Sequence, residues 1–139
     1  TNFIAIESQR GNPLFSPSLE AWGIPTAVSL LETVDLKLPL GIVASGGVRT
    51  ALDAAKVLAV GADLAGMAGS VLRIIVQESA EALQLFFQQL LYELRCIYLM
   101  MGARNRSELR QKPVVILGKT REWLAERGID ATCYAQRKQ

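Results

Sequence analysis

Leu40-Gly41-Ile42-Val43-Ala44-Ser45-Gly46-Gly47-Val48-Arg49 is the stretch whose reading decides the fold. Five apolar residues, Leu40 to Ala44, read as a buried strand, with Pro39 tolerated ahead of it because its missing N–H breaks no ladder. The diglycine that follows runs straight into a helical pattern from Thr50 to Val60. A strand ending in two glycines before a helix N-terminus is the layout of a phosphate cradle. The glycines let the backbone approach an anion closely, and the first free helix N–H groups point at it.

Working outward, Ala51, Ala54, Ala55, Leu58 and Ala59 recur at helical spacing, and their small size suits close packing on a sheet. Gly61 ends that helix and Ala62 to Ala65 reads as a second short strand, followed by another glycine turn, Gly66-Met67-Ala68-Gly69. Leu40 to Ala65 is therefore one β-α-β unit. Such crossovers are right-handed, so both glycine turns fall at one end of the sheet and share an anion site.

Upstream, Gly11-Asn12-Pro13 and Ser16-Pro17-Ser18 mark loop, and Thr26 is expected to cap a helix that carries Ala27, Leu30, Leu31 and Val34 on one face. Downstream, Ser70 to Ile75 reads as a short helix. A long one runs from Glu78 or Ser79 to Met101, with Leu83, Phe86, Phe87, Leu90, Leu91, Leu94, Ile97 and Tyr98 expected as core. Asn105 or Ser107 caps a short helix and Val114 to Leu117 reads as strand or extended chain. Thr120 is expected to cap a helix over 121–127, and the tail 134–139 to fray. Trp22 and Trp123 are expected as packing anchors and Cys96 as a buried thiol.

Composition narrows the function. The 139 residues are 50% hydrophobic and 20% charged, with a net charge of +2, which does not fit a dedicated nucleic-acid or membrane-surface protein. Gln84, Gln88, Gln89, Glu93 and Arg95 interrupt the apolar stretch 82–101, which therefore reads as an amphipathic helix, not a membrane span. Two cysteines make no disulfide framework, so a reducing, cytoplasmic setting is expected. There is no histidine, which removes the commonest general acid/base and assigns the chemistry to other groups or to a cofactor. Two or three parallel strands are too few to close a barrel of eight, and the chain opens on Thr1. The expected fold class is α/β, the C-terminal portion of a (β/α)8 barrel incomplete in this chain, with residues 1–139 forming one part-domain that carries the phosphate-binding loops and closing helices.

The chain resembles the C-terminal part of type 2, FMN-dependent isopentenyl-diphosphate isomerase. The resemblance rests on Thr1-Asn2-Phe3-Ile4-Ala5-Ile6-Glu7, Trp22-Gly23-Ile24-Pro25-Thr26-Ala27, Ala44 to Arg49, Leu52 to Lys56, Gly61 to Ala68, and Ile116-Leu117-Gly118-Lys119 with Glu122-Trp123 and Arg127-Gly128-Ile129. It implies an isomerase of isoprenoid biosynthesis that interconverts isopentenyl and dimethylallyl diphosphate with reduced FMN, Mg²⁺ and NADPH, a homo-oligomer when full length. It implies FMN contacts from Thr1, Gly46, Gly47, Val48, Ala68 and Gly69, chiefly at the phosphate. It assigns the substrate-diphosphate ligands, the active-site glutamine and the Mg²⁺ carboxylate to a front part of the protein, so that no catalytic or metal residue is expected here and the chain alone is expected to be inactive. Glu7 is either near the substrate or a surface residue, and Arg49 either a phosphate partner or a solvated first-turn residue. Two other readings stay open: a fragment of another FMN barrel, such as an α-hydroxy-acid oxidase or an inosine-monophosphate dehydrogenase relative, and an inactive truncated remnant.

Overall fold

A computed structural model describes residues 22–138 together with Ile6, Arg10, Gly11 and Leu19. In order come α1 (Thr26–Asp35), β1 (Val43–Ser45), α2 (Ala51–Val60), β2 (Leu64–Gly66), α3 (Gly69–Gln77), α4 (Ala80–Met100), α5 (Arg106–Leu109), α6 (Gly118–Glu126) and α7 (Thr132–Ala135). The described residues are mixed α/β, mostly helical, with two strands. These pair in parallel, Val43 with Leu64, Ala44 with Ala65 and Ser45 with Gly66, so the β-α-β reading holds.

Both strands lie a little later in the chain than expected. The Ile42 carbonyl accepts from the amides of Asp63 and Leu64, while the Ile42 amide donates to the Asp63 carboxylate at 2.8 Å. The Ala62 amide is taken by the Val57 carbonyl at the end of α2. Regular pairing therefore begins only at Val43 and Leu64, and it extends one residue into each glycine turn.

Side chains alternate across a strand. Ala44 is buried among Leu30, Leu31, Val60, Ala62, Leu124 and Tyr134, and Ala65 packs on a second cluster built from Leu58, Ala59, Ala103 and Leu109. The opposite face of the sheet presents the register partners Val43 and Leu64, 61% and 62% exposed. Apolar residues thus line both faces of this parallel pair.

Helix α2 owes its start to a capping box. The Thr50 hydroxyl accepts from the Asp53 amide and the Asp53 carboxylate accepts from the Thr50 amide, each at 3.1 Å. It ends at Gly61, whose φ of +139° disfavours any side chain and whose Cβ would stand 2.7 Å from Val34 Cγ2 of α1. That close approach packs α1 onto the end of α2. Ser79 caps α4 through the Ala82 amide, and Asn105, one of the two expected candidates, caps α5 through the Glu108 amide.

Asp63 binds the lower end of the unit together. Besides the Ile42 amide it holds Arg110 at 3.0 Å and Arg106 at 3.3 Å. Arg106 also donates to the Asp63 carbonyl and Arg110 to the Gly61 carbonyl. The Ile42 hydrogen bond is the main influence holding the Asp63 carboxyl below its ordinary range, helped by the two arginines against some desolvation.

Several expectations are corrected. Thr26 is the first residue of α1 and not its cap; Pro25 holds that place, with no side-chain cap bond. Helix α6 begins at Gly118 after Leu117, not behind Thr120. The run 114–117 is extended but joins no strand; the Val114 amide bonds the Tyr134 carbonyl, while Val114 and Ile116 pack on the first core cluster. The tail does not fray at Tyr134. That ring is buried, Arg137 lies 4.6 Å over it, and Arg137 donates to the Ala59 carbonyl at 2.8 Å, so aromatic burial and a capped α2 carbonyl order the end. The long helix α4 has no buried residue; it packs against α2 and α3, and Leu91, Tyr92 and Leu99 stay exposed because no other described element covers them. Trp22 is exposed rather than an anchor, and Trp123, still partly open, donates its indole N–H to Glu32 at 3.2 Å. Cys96 is half-buried.

Two outcomes follow for urea titrations. Gly61→Ala is expected to cost roughly 1–3 kcal/mol, and Val34→Ala in the same chain recovers only the part due to the clash, since the backbone strain remains. Asp63 has a depressed folded pKa, so its contribution is present above the unfolded carboxylate value near 3.9 and fades as pH falls through the lower folded value. Asp63→Asn should therefore lower the urea midpoint at about pH 7, with a difference that shrinks progressively as pH falls below about 3.9; a difference that does not shrink with falling pH would refute the assignment.

Candidate functional site

The parallel register places the C-terminal ends of β1 and β2 side by side, so the two glycine turns meet. Gly46, Gly47, Val48, Ala68 and Gly69 all line one cleft of about 380 Å³, with Ser45, Arg49 and Arg73 beside them. Thr1 and Glu7 lie outside the described residues.

Each turn is built for close backbone approach in its own way. Gly46 and Gly47 have φ of +94° and +78°, a left-handed pair that any side chain would strain. Val48 is buried and anchors the loop from below. Gly69 has neither constraint. Its φ is ordinary and a Cβ there would meet no atom within 4 Å; it would stand in open space. Among the described residues no packing contact requires a glycine at 69.

The two helix N-termini at this end differ, and one expectation changes here. The amides of Arg49, Thr50 and Asp53 around the start of α2 are taken by the chain's own side chains. The Asp53 carboxylate accepts from the Arg49 and Thr50 amides, both at 3.1 Å, and from the Thr50 hydroxyl at 2.9 Å. Partial burial pushes the Asp53 carboxyl up, but these hydrogen bonds, with Lys56 nearby, outweigh it and the group lies below its ordinary value. A negative charge thus already occupies the start of α2.

Among the described residues helix α3 has no such occupant. Its N-cap is Ala68, which offers no side-chain bond, and the first intrahelical acceptor there is the Ala68 carbonyl, taken by the Leu72 amide at 2.8 Å. The amides of Gly69, Ser70 and Val71 precede that first bond and so have no acceptor within the helix. The cleft's positive end is therefore the start of α3, facing the left-handed glycines across the β1–β2 register. A capping box can be found from a Thr-x-x-Asp spacing, and Thr50-Ala51-Leu52-Asp53 carries one. That was the available signal that the first helix supplies its own anion.

Backbone amides with two guanidinium groups at the rim are chemistry that suits a small anion, and among the described residues the cleft offers no nucleophile–base pair. Among the described residues no group of three or more His, Cys, Asp or Glu comes together to hold a metal, and no helix is long and apolar enough to cross a membrane.

No family model matches the chain. Full-length comparison finds relatives. An isopentenyl-diphosphate delta-isomerase of Geobacillus sp. (strain WCH70) is 43% identical over 137 residues, 99% of this chain and 39% of that protein. One from Moorella thermoacetica is 46% identical over 127 residues, 91% of this chain and 36% of its own length, and one from Symbiobacterium thermophilum is 44% identical over 141 residues, 39% of its length. The chain spans about two fifths of the length of the curated relatives it matches, and over that span it is homologous to the isopentenyl-diphosphate delta-isomerases.

Proposed function

We propose that this chain supplies the flavin-phosphate site of an FMN-dependent isomerase that interconverts isopentenyl and dimethylallyl diphosphate in isoprenoid biosynthesis. The carrying observation is the shared cleft, where two left-handed glycines and an uncapped helix start meet at the C-terminal edge of a parallel strand pair. Homology to isopentenyl-diphosphate delta-isomerases supplies the substrate class.

In this reading Gly46, Gly47 and Val48 present backbone amides to the phosphate from one side, and Ala68-Gly69 admits it to the start of α3 from the other. Thr1 adds its hydroxyl. Asp53, held by the Arg49 and Thr50 amides at the start of α2, steers the dianion toward α3 by repulsion. Arg49 lies at the rim and offsets the added charge. When bound, FMN supplies the reduced flavin that exchanges protons with the allylic system. The residues named here hold it in place and keep its phosphate out of bulk water. Mg²⁺, NADPH, the substrate diphosphate and the catalytic groups belong, in this reading, to the three fifths of the relatives that this chain does not match. The setting is cytoplasmic, and the intact protein is a homo-oligomer that engages neither nucleic acid nor membrane.

The (β/α)8 barrel is part of the same proposal. Parallel sheets are covered on both faces, and here the face that bears Val43 and Leu64 has no cover among the described elements. In a barrel that face is the packed interior.

Two experiments test this reading. Gly47→Asp should abolish FMN retention, because it adds a negative charge and a side chain at φ +78°; a variant that keeps the flavin stoichiometry of the wild type refutes the phosphate assignment. The chain alone should convert no isopentenyl diphosphate, and co-expression with the unmatched front portion of the Geobacillus relative should restore turnover. Conversion by the chain alone would show that the front is dispensable.

A further inference from the structure

The outer edge of β2 carries backbone groups without a strand partner. The Leu64 amide donates to the Ile42 carbonyl, on the β1 side. Backbone groups alternate in direction along a strand, so the Ala65 amide and carbonyl point to the opposite edge. No strand pairs with that edge among the described residues. Strand edges that are meant to stay free are often blunted by proline or lysine, and Leu64-Ala65-Gly66 contains neither.

This edge opens into a groove of about 470 Å³. Leu64, Ala65 and Met67 line it on the strand side, and Phe87, Leu91 and Leu94 of α4 line it opposite. The three α4 residues recur at spacings of four and three, which makes them one stripe on that helix. Leu64, Phe87 and Leu91 remain exposed. The two charged residues that line the groove, Asp63 and Arg106, pair with each other at 3.3 Å. The groove is therefore apolar, with its charges compensated, and it runs beside an open row of hydrogen-bonding groups.

We propose that this groove is the docking site of an apolar β-strand from the part of the family protein that this chain does not match, added in parallel to the free edge of β2 and clamped by the α4 stripe. This rests on the barrel reading above. The chain spans about two fifths of the length of its curated relatives, so three fifths of such a protein are available as cover. Among the described residues, none before Ala54 or after Arg106 lines the groove. An extended segment satisfies the Ala65 amide and carbonyl. Strands of parallel sheets are apolar on both faces, which suits a neutral groove on one side and the exposed face of Leu64 on the other.

The test is amide hydrogen exchange, followed by NMR, in the chain alone and in a chimera that joins the unmatched front portion of the Geobacillus relative to Thr1. The Leu64 amide, bonded to Ile42, is the internal control and should be protected in both. The Ala65 amide should exchange about tenfold or more slowly in the chimera than in the chain alone. Leu91→Glu places a charge in the groove and should return Ala65 toward its unprotected rate with Leu64 unchanged. Leu91→Met should keep the protection, and Val115→Glu, at an exposed apolar residue outside the groove, should change nothing. If Ala65 is protected in the chimera but indifferent to Leu91→Glu, the clamp is overturned while the barrel stands. If Ala65 is already protected in the chain alone, the edge is covered by the chain itself or by a second copy, and the inference is overturned; protection that grows with chain concentration identifies the copy. If Ala65 exchanges as fast in the chimera as in the chain alone, the barrel reading fails and this inference fails with it. Flavin retention by Gly47→Asp reads the phosphate site separately.

Discussion

The carboxylate of Asp63 is the contact on which the geometry of the cleft depends. It stands at the entry to β2 and takes the amide at the entry to β1, so it sets how far the two strands slide past each other. A one-residue slip would turn every strand side chain to the wrong face, moving Ala44 out of the core and exposing the helix layer. It would also offset the two glycine turns at the far ends of the strands. The arginines of α5 converge on the same carboxylate and bring the C-terminal segment under the unit. One acidic side chain at the lower edge thereby positions a loop pair at the upper edge that it never touches.

That upper edge is electrostatically uneven. Two helices begin there, and both present the positive end of a dipole. The first carries its own aspartate at its start, and the second has no side-chain cap and lies beside an arginine. A single anion thus has one favoured seat rather than two, displaced toward α3 and away from the carboxylate of Asp53. The glycines serve this arrangement differently: Gly46 and Gly47 by the backbone shape they permit, Gly69 by the volume it leaves empty.

The distribution of apolar surface fits a layer that is covered on one side. Buried residues concentrate where α1, α2 and α6 meet the helix-facing side of the sheet. The residues of α4 that recur at core spacing stay half-exposed, as do Val43 and Leu64. Periodicity says that a residue belongs in an interior, but not which chain segment forms the other wall. For α4 the spacing was legible and the burial was not, since burial requires a neighbour.

From the residues alone, the β-α-β unit, its crossover helix from Thr50 to Val60, the start of the long helix at Glu78 or Ser79, the short helix behind Asn105 or Ser107 and the pairing of the two glycine turns were all readable. Local backbone chemistry and the handedness of the crossover leave little choice there. The resemblance carried by the same stretches pointed to the isomerases that the comparisons then found. Tertiary structure alone decided the rest. It ordered the tail, because Arg137 finds partners 25 and 78 residues away in sequence, at Lys112 and Ala59, and the Tyr134 carbonyl accepts from the Val114 amide. Motifs report what a short segment can do by itself. Which of its hydrogen bonds remain free for another molecule depends on contacts between segments, and those exist only once the chain has folded.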